Sequence, residues 1–141
     1  PDIIAKVEEN IRLSTIIKGS TEDFTTLYGN HYEKNLQSIV NTSDEKIILI
    51  TNGKYPVRVI THSFAEEIET EEIETVSTIG AGDNFNAGVI YGLHKKEIAT
   101  RNISSLSAQE WRQIVHYGNK FAANVCSSAT NYISTNFAAS L

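Results

Sequence analysis

The first forty residues show hydrophobic spacing that changes from helical to strand-like and back. Apolar residues recur every three or four positions at Ile3, Ile4, Val7 and Ile11, which predicts an amphipathic helix. A β-branched run, 15–17, then predicts a buried strand that ends at Lys18-Gly19. Ser20-Thr-Glu-Asp23 is typical of a helix N-terminus, and a further helix is predicted around 32–40.

The middle of the chain is typical of a β-hairpin. Residues 46–51 are nearly all β-formers, Asn52-Gly53 is a turn signal, and 56–60 resume a period-two pattern. Residues 66–75 read EEIETEEIET, a duplication too short to form a repeat architecture. We expect an exposed acidic segment there, with Ile68 and Ile73 turned inward.

The last half of the chain predicts a strand at 74–78, a glycine loop at 80–83 and a helix beginning near Asp83. A polar loop over 94–106 should follow. Ser107-Ala-Gln-Glu110 then has the form of a capping box ahead of a long amphipathic helix that reaches Val125. This order of elements predicts a layered α/β sheet covered by helices, whose ligands gather beyond the carboxyl ends of its strands.

Composition narrows the classes of protein. The 141 residues are 40% hydrophobic and carry a net charge of −5, which fits one soluble globular domain. No Lys/Arg cluster indicates a nucleic-acid or membrane partner, and no apolar run is long enough to span a bilayer. The single cysteine, Cys126, excludes an internal disulfide, so we expect a cytoplasmic protein. The chain starts at Pro1 and has no methionine, which suggests a fragment.

The main candidate for a reactive site is the segment Gly80-Ala-Gly-Asp83. Its two glycines let the backbone turn sharply, and the helix that follows directs unpaired N–H groups at the same point, which favours an anion. Asp83 would repel a resting anion there. Phosphoryl transfer reconciles the two features, because the N–H groups stabilise the transferring phosphoryl group while the carboxylate accepts the proton of the attacking hydroxyl.

Spacing alone leaves another interpretation open. Gly80-Ala-Gly82 could be an ordinary strand-to-helix connection, with Asp83 favoured in the first turn by the helix dipole. A Rossmann loop is disfavoured because Phe85 stands where its third glycine would be, and a Walker A loop is disfavoured because no Gly-Lys-Ser/Thr occurs.

At these residues the sequence resembles a known family. The segment VSTIGAGDNFNAGVIYGL is similar to the C-terminal signature of the ribokinase/PfkB carbohydrate kinases, D-T-x-G-A-G-D-x-F-x-A-G. The matching residues are Thr78, Gly80, Ala81, Gly82, Asp83, Phe85, Ala87 and Gly88. IIKGSTEDF resembles the family's Asn-x-x-Glu segment, and ILITNGKYPVRV resembles its Thr-x-Gly strand and turn. The resemblance implies the C-terminal part of a ribokinase-like three-layer αβα sandwich, without the N-terminal sugar-binding half and lid.

The resemblance also implies roles for particular residues. Asp83 is similar to the catalytic base, and the backbone of 80–82 to the anion hole. Residues that would contact ATP are Thr51, Gly53 and Thr78. Ser20 and Asp23 would act near phosphate and Mg²⁺, with Asp23 reaching the metal through water, although a simple helix cap explains that pair equally well. Ser77 replaces the signature's leading aspartate, which argues against activation by a monovalent cation.

The sequence is compatible with two functions that belong to different classes. The first is ATP-dependent phosphorylation of a sugar or related hydroxyl, carried out by a longer protein, with this fragment inactive alone. The alternative is a nucleotide-binding fragment or regulatory sensor without turnover. A homodimer stays open, and we expect the isolated chain to self-associate, because half a sheet exposes an edge and an apolar face.

Overall fold

The structure, a computed structural model, describes residues 3–141 as a mixed α/β chain. Its elements follow in the order α1 (Ile3–Leu13), β1 (Ile16–Ser20), α2 (Thr21–Tyr28), α3 (Tyr32–Asn41), β2 (Ile47–Asn52), β3 (Tyr55–Ile60), β4 (Ala65–Ile68), α4 (Ala81–Lys95), α5 (Ala108–Cys126) and α6 (Thr135–Ala139). Short 3₁₀ turns lie at Gly29–His31 and Thr100–Ser105. The α/β class predicted from the sequence is confirmed.

The chain divides into two compact units. The N-terminal unit contains the residues up to Glu67 together with Ile103–Ser105, and the C-terminal unit contains Ile68–Asn102 and Leu106–Leu141. No helix within residues 3–141 is long and apolar enough to cross a membrane.

A four-stranded sheet in the order β1-β2-β3-β4 organises the N-terminal unit. β1 and β2 are parallel, whereas β2 and β3 form the predicted antiparallel hairpin. The hairpin register shifts by one residue between Ile50 and Asn52. Pro56 lies close to this irregularity, where a residue without an N–H is best tolerated in a sheet.

The core of the N-terminal unit forms where β-branched strand residues meet the apolar faces of α2 and α3. Its buried members are Ile17, Phe24, Leu36, Val40, Ile48, Ile50 and Ile60. The continuous run Ile47–Ile50 is buried at every position, which is typical of a strand that is covered on both faces.

Two long helices form the C-terminal unit. α4 and α5 approach closely because Gly88 of α4 faces α5 and Gly118 of α5 faces α4. A Cβ at Gly88 would lie 2.4 Å from the carbonyl oxygen of Tyr117. Phe85 and Val89 fill the space beside Gly118. The signature glycine at position 88 is thus a packing residue, which lets the helix that carries Asp83 lie against α5.

Two predictions about irregular segments were wrong. No strand forms at 74–78, because Val76 is exposed and the N–H groups of Val76 and Ser77 donate to the carbonyl of Cys126 instead of to a neighbouring strand. The polar loop predicted over 94–106 contains the end of α4 and a 3₁₀ turn, and it buries Ile103 and Leu106. In the acidic segment Ile68 is buried as predicted, while Ile73 is only half-buried.

Candidate functional site

The glycine turn of the signature forms the N-terminal end of α4. Gly80 caps the helix in the left-handed conformation, with φ of 79° and ψ of 0°, which a residue with a Cβ adopts only at a cost. The Ala81 N–H donates to the Thr78 carbonyl over 3.2 Å, and the Asn84 N–H donates to the Gly80 carbonyl over 2.9 Å. The first of these hydrogen bonds closes the turn, and the second is the first intrahelical hydrogen bond of α4.

Asp83 is exposed in the first turn of α4. The N–H groups of Gly82 and Asp83 also belong to this turn, where an α-helix offers them no acceptor of its own. Their partial positive charge and the helix dipole both favour an anion at this end. The carboxylate and the N–H groups thus lie side by side, as phosphoryl transfer to a hydroxyl requires.

The carboxyl end of α5 and the segment after it hold this turn in place. The Cys126 carbonyl accepts hydrogen bonds from the N–H groups of Val76, at 2.8 Å, and Ser77, at 3.2 Å. Further along, the Asn131 carbonyl accepts a hydrogen bond from Asn84 Nδ2 at 3.0 Å. The residues before and after Gly80 are therefore both attached to the same part of the chain.

Gly80 itself packs against this segment. A Cβ at position 80 would lie 3.1 Å from both the Cβ and the carbonyl oxygen of Asn131. Two independent constraints, the positive φ and this close approach, thus require glycine here.

A second group of predicted residues gathers in the N-terminal unit. Ser20 is the last residue of β1 and Thr51 is the last but one of β2, and the two are Cα partners in the parallel sheet register. Gly53 follows Thr51 in the two-residue turn of the hairpin, with φ of 57° and no atom within 4 Å of where a Cβ would stand. These three residues lie at the carboxyl ends of the strands, where open α/β sheets bind ligands.

Ser20 and Asp23 form a capping box at the start of α2. Ser20 Oγ accepts from the Asp23 N–H at 3.0 Å, while Asp23 Oδ2 accepts from the Ser20 N–H at 2.7 Å. Donation by the Ser20 N–H, more than any other contact, holds the pKa of the Asp23 carboxyl below its ordinary value. The cap interpretation of this pair is therefore correct, and it leaves the second carboxylate oxygen of Asp23 for another role.

The predicted site residues fall into two groups. Ser20, Asp23, Thr51 and Gly53 belong to the N-terminal unit, whereas Thr78 and the 80–83 turn belong to the C-terminal unit. Sequence analysis missed Asn84 and Asn131, which tie the turn to the segment after α5. The signature leaves position 84 unspecified, so no motif pointed to it.

A magnesium site made wholly of protein ligands is not present in the described part of the chain, which holds no group of three or more His, Cys, Asp or Glu residues suited to a metal. Mg²⁺ in phosphoryl-transfer sites is usually held by substrate phosphates and only one or two carboxylates. Asp23, whose carboxylate is exposed, is a residue type that fits this pattern.

Three residues of α5 carry polar or thiol groups whose surroundings the structure defines. Asn119 is buried and donates from Nδ2 to the Glu69 carbonyl at 3.0 Å. Asn124 Oδ1 accepts from the Ser134 N–H at 2.9 Å. Burial raises the pKa of the Cys126 thiol, which disfavours the nucleophilic thiolate.

An open depression of about 550 Å³ lies elsewhere on the C-terminal unit. It is lined by Ile68, Lys95, Lys96, Arg112, Gln113, His116 and Tyr117. Lys95 Nζ donates to the Tyr91 hydroxyl at 3.1 Å, and Lys96 Nζ donates to Gln113 Oε1. These lysines bind neighbouring side chains, and the depression has no part in the site at Asp83.

Solved structures of sugar and nucleoside kinases have the same fold. The fructokinase with bound ATP from Xylella fastidiosa superposes with a TM-score of 0.84 at 14% identity, covering 93% of this chain and 42% of that one. Aminoimidazole riboside kinase from Salmonella enterica, complexed with aminoimidazole riboside and an ATP analogue, gives 0.75 at 17% identity, covering 98% and 46%. The fold is therefore ribokinase-like, as predicted, and it is the fold of a class of small-molecule kinases.

The sequence defines the family within that class. The chain belongs to the pfkB family of carbohydrate kinases, whose profile matches residues 1–136. It is similar to a fructokinase of Rhizobium leguminosarum bv. trifolii, with 30% identity over 115 residues, which cover 79% of this chain and 35% of the relative. The chain thus spans about a third of the length of that relative.

Proposed function

We propose that a protein containing this chain transfers the γ-phosphoryl group of ATP to a hydroxyl of a sugar or related substrate, with Asp83 as the base. The observation that carries this proposal is the exposed Asp83 carboxylate in the first turn of α4, directly after the left-handed Gly80. Membership of a carbohydrate kinase family supports it.

The chemistry divides between side chain and backbone. As the substrate oxygen bonds to the γ-phosphorus, its proton passes to Asp83, and the bond to the leaving β-phosphate oxygen breaks to release ADP. The backbone N–H groups of the turn formed by Gly80, Ala81 and Gly82 stabilise charge on the transferring phosphoryl oxygens. A backbone turn suits this task because its dipoles are already oriented before the reaction starts.

The nucleotide contacts form the second part of the proposal. Thr51, Gly53 and Thr78 contact ATP, and Ser20 and Asp23 act near its phosphates. Bound Mg²⁺ would neutralise phosphate charge, and Asp23 would hold it through water. Support comes from the position of Ser20, Thr51 and Gly53 at the carboxyl ends of β1 and β2, and from relatives whose structures contain ATP or ADP.

Position 77 bears on monovalent cations. The Ser77 hydroxyl accepts a hydrogen bond from the Ile79 N–H at 3.2 Å. A serine supplies no carboxylate that could bind such a cation. We therefore expect turnover that does not depend on K⁺.

The test compares Asp83→Asn with Glu72→Gln, which removes an exposed carboxylate outside the turn. Calorimetry measures Mg·ATP binding to the chain. A longer protein that contains the chain is assayed for ADP release with fructose, other sugars and ribosides. We expect Asp83→Asn to retain ATP binding and to lose about 10²–10⁴-fold in kcat, the usual contribution of a general base. Full turnover in Asp83→Asn would contradict the proposal.

A second candidate is nucleotide binding without turnover, as a fragment or regulatory sensor. It is favoured by the position of Ser20 and Thr51 at the carboxyl ends of two parallel strands, where a nucleotide can bind without any step that involves Asp83. Sugar-dependent ADP release by the longer protein would exclude this function. ATP binding without ADP release under any sugar would support it.

A further inference from the structure

The side chain of Asn84 contacts two backbone carbonyls that lie far from each other in the sequence, those of Gly80 and Asn131. Asn84 Nδ2 donates to the Gly80 carbonyl at 2.9 Å and to the Asn131 carbonyl at 3.0 Å. The Asn84 N–H also donates to the Gly80 carbonyl. One side chain thus joins the left-handed residue of the turn to the segment that follows α5.

The chemistry of the amide matches this arrangement. A side-chain amide nitrogen carries two hydrogens, and the two carbonyls accept one each. An isosteric carboxylate has no hydrogen to donate and would face both carbonyl oxygens with negative charge. A methyl group would leave both carbonyls without this donor. The pair of contacts therefore depends on a donor that few other side chains supply.

The segment joined by Asn84 is itself anchored at both ends. At its start, the Ser127 and Ser128 N–H groups donate to the Ala123 and Val125 carbonyls of α5. At its end, the Ser134 N–H donates to Asn124 Oδ1. Between these anchors, residues 129–133 contact the turn through Asn131. A connection at Asn131 therefore links the turn to a held segment.

We propose that Asn84 is a positioning residue for phosphoryl transfer, which fixes the Gly80 turn against residues 127–134 so that Asp83 and the first-turn N–H groups keep their relative geometry. This inference rests on the proposed function. Asn84 touches no reacting atom, and it acts through the backbone of Gly80. Since a displacement of about 1 Å at a reacting group can cost 10²-fold in rate, loss of the connection should lower kcat.

The matched control is Asn86, two residues along the same helix and exposed. Asn84→Ala and Asn86→Ala remove the same atoms from α4, and Asn84→Asp and Asn86→Asp add the same charge. In the longer protein we expect Asn84→Ala and Asn84→Asp to lower kcat by about tenfold or more, with KM for ATP and sugar within about twofold. The Asn86 variants should keep kcat within about twofold of the unchanged protein.

A second measurement does not use activity. Amide hydrogen exchange of residues 127–134 should be faster in Asn84→Ala than in Asn86→Ala, because only the first loses the connection to Asn131. Equal exchange and equal kcat in the two alanine variants would overturn the inference. A rise in KM with unchanged kcat would also overturn it, since that result indicates a role in ground-state binding.

Asp83→Asn in the same assay separates the two possible failures. Unchanged kcat in Asp83→Asn overturns the proposed function. An inactive Asp83→Asn together with an unaffected Asn84→Ala overturns only the role of Asn84.

Discussion

Ser20 and Thr51 are Cα partners at the carboxyl ends of two parallel strands, although they are 31 positions apart in the sequence. Because β1 and β2 are parallel, their ends meet at one edge of the sheet, and the residues that begin α2 and the hairpin turn meet there too. Both residues had been predicted to contact nucleotide from separate motifs, and their adjacency supports a shared nucleotide site at this edge.

Two matched capping boxes allow the cap and ligand roles of Ser20 to be separated. Ser20 and Ser107 begin α2 and α5 with the same reciprocal hydrogen bonds. Ser20→Ala and Ser107→Ala should each lower the free energy of unfolding by about 1 kcal/mol, measured by urea denaturation. Only Ser20→Ala should also weaken Mg·ATP binding in calorimetry. Equal ATP affinity in the two variants would limit Ser20 to its cap.

The two capping carboxylates, Asp23 and Glu110, predict that the free energy of unfolding falls at acid pH. The Ser20 N–H lowers the pKa of Asp23, and the Ser107 N–H lowers the pKa of Glu110. A lowered folded pKa means that the ionised form stabilises the fold above the ordinary values of 3.8 and 4.5. That stabilisation is lost as pH falls through the lower folded values.

The pH prediction is tested by urea midpoints measured from near neutral pH to below those ordinary values. The double variant Asp23→Asn/Glu110→Gln should lose less stability over this acid range than the unchanged chain. Parallel curves would show that the two caps do not link protonation to folding.

Gly88 should be intolerant of even a methyl group. Gly88→Ala places a Cβ 2.4 Å from the Tyr117 carbonyl oxygen, and overpacking of this kind costs about 1–3 kcal/mol. Gly92→Ala should cost less, because its nearest contacts would be 3.1 Å, with the Tyr117 ring, and 3.2 Å, with the Ile114 Cα, which are both longer than the 2.4 Å contact at Gly88.

The control for helix propensity is Ala87→Gly on the exposed face of α4, which should cost about 1 kcal/mol. Urea denaturation measures all three variants. A Gly88→Ala protein more stable than the unchanged chain would show that α4 and α5 can separate without penalty.

Lys46 holds the end of α1. Its Nζ donates to three carbonyls, those of Ile11, Arg12 and Ser14, and a cation is favourable at a helix C-terminus. Lys46→Met keeps the length of the side chain and removes the donors, so we expect a loss of roughly 1–2 kcal/mol. Circular dichroism should report less helix. Lys34→Met, at an exposed position of α3, controls for loss of charge, and an equal effect of both changes would contradict this role for Lys46.

Local patterns in the sequence were sufficient for most elements and for the central motif. The capping residues Ser20 and Ser107, the hairpin turn at Gly53 and the glycine turn before α4 were all predicted, because each depends on backbone preferences over a few residues. The α/β class, the ribokinase-like fold and the family followed from these elements and the signature, and all three are confirmed.

Tertiary structure decided what local patterns could not. The β-branched residues near Val76 favoured a strand, but a strand needs a partner, and their N–H groups bind the Cys126 carbonyl instead. Asn119 is a polar residue of α5, yet it is buried, and its side chain donates to the Glu69 carbonyl. The connection through Asn84 joins residues 47 positions apart. In each case the outcome depends on which distant backbone group lies within hydrogen-bonding distance, and only the packing of the whole chain determines that.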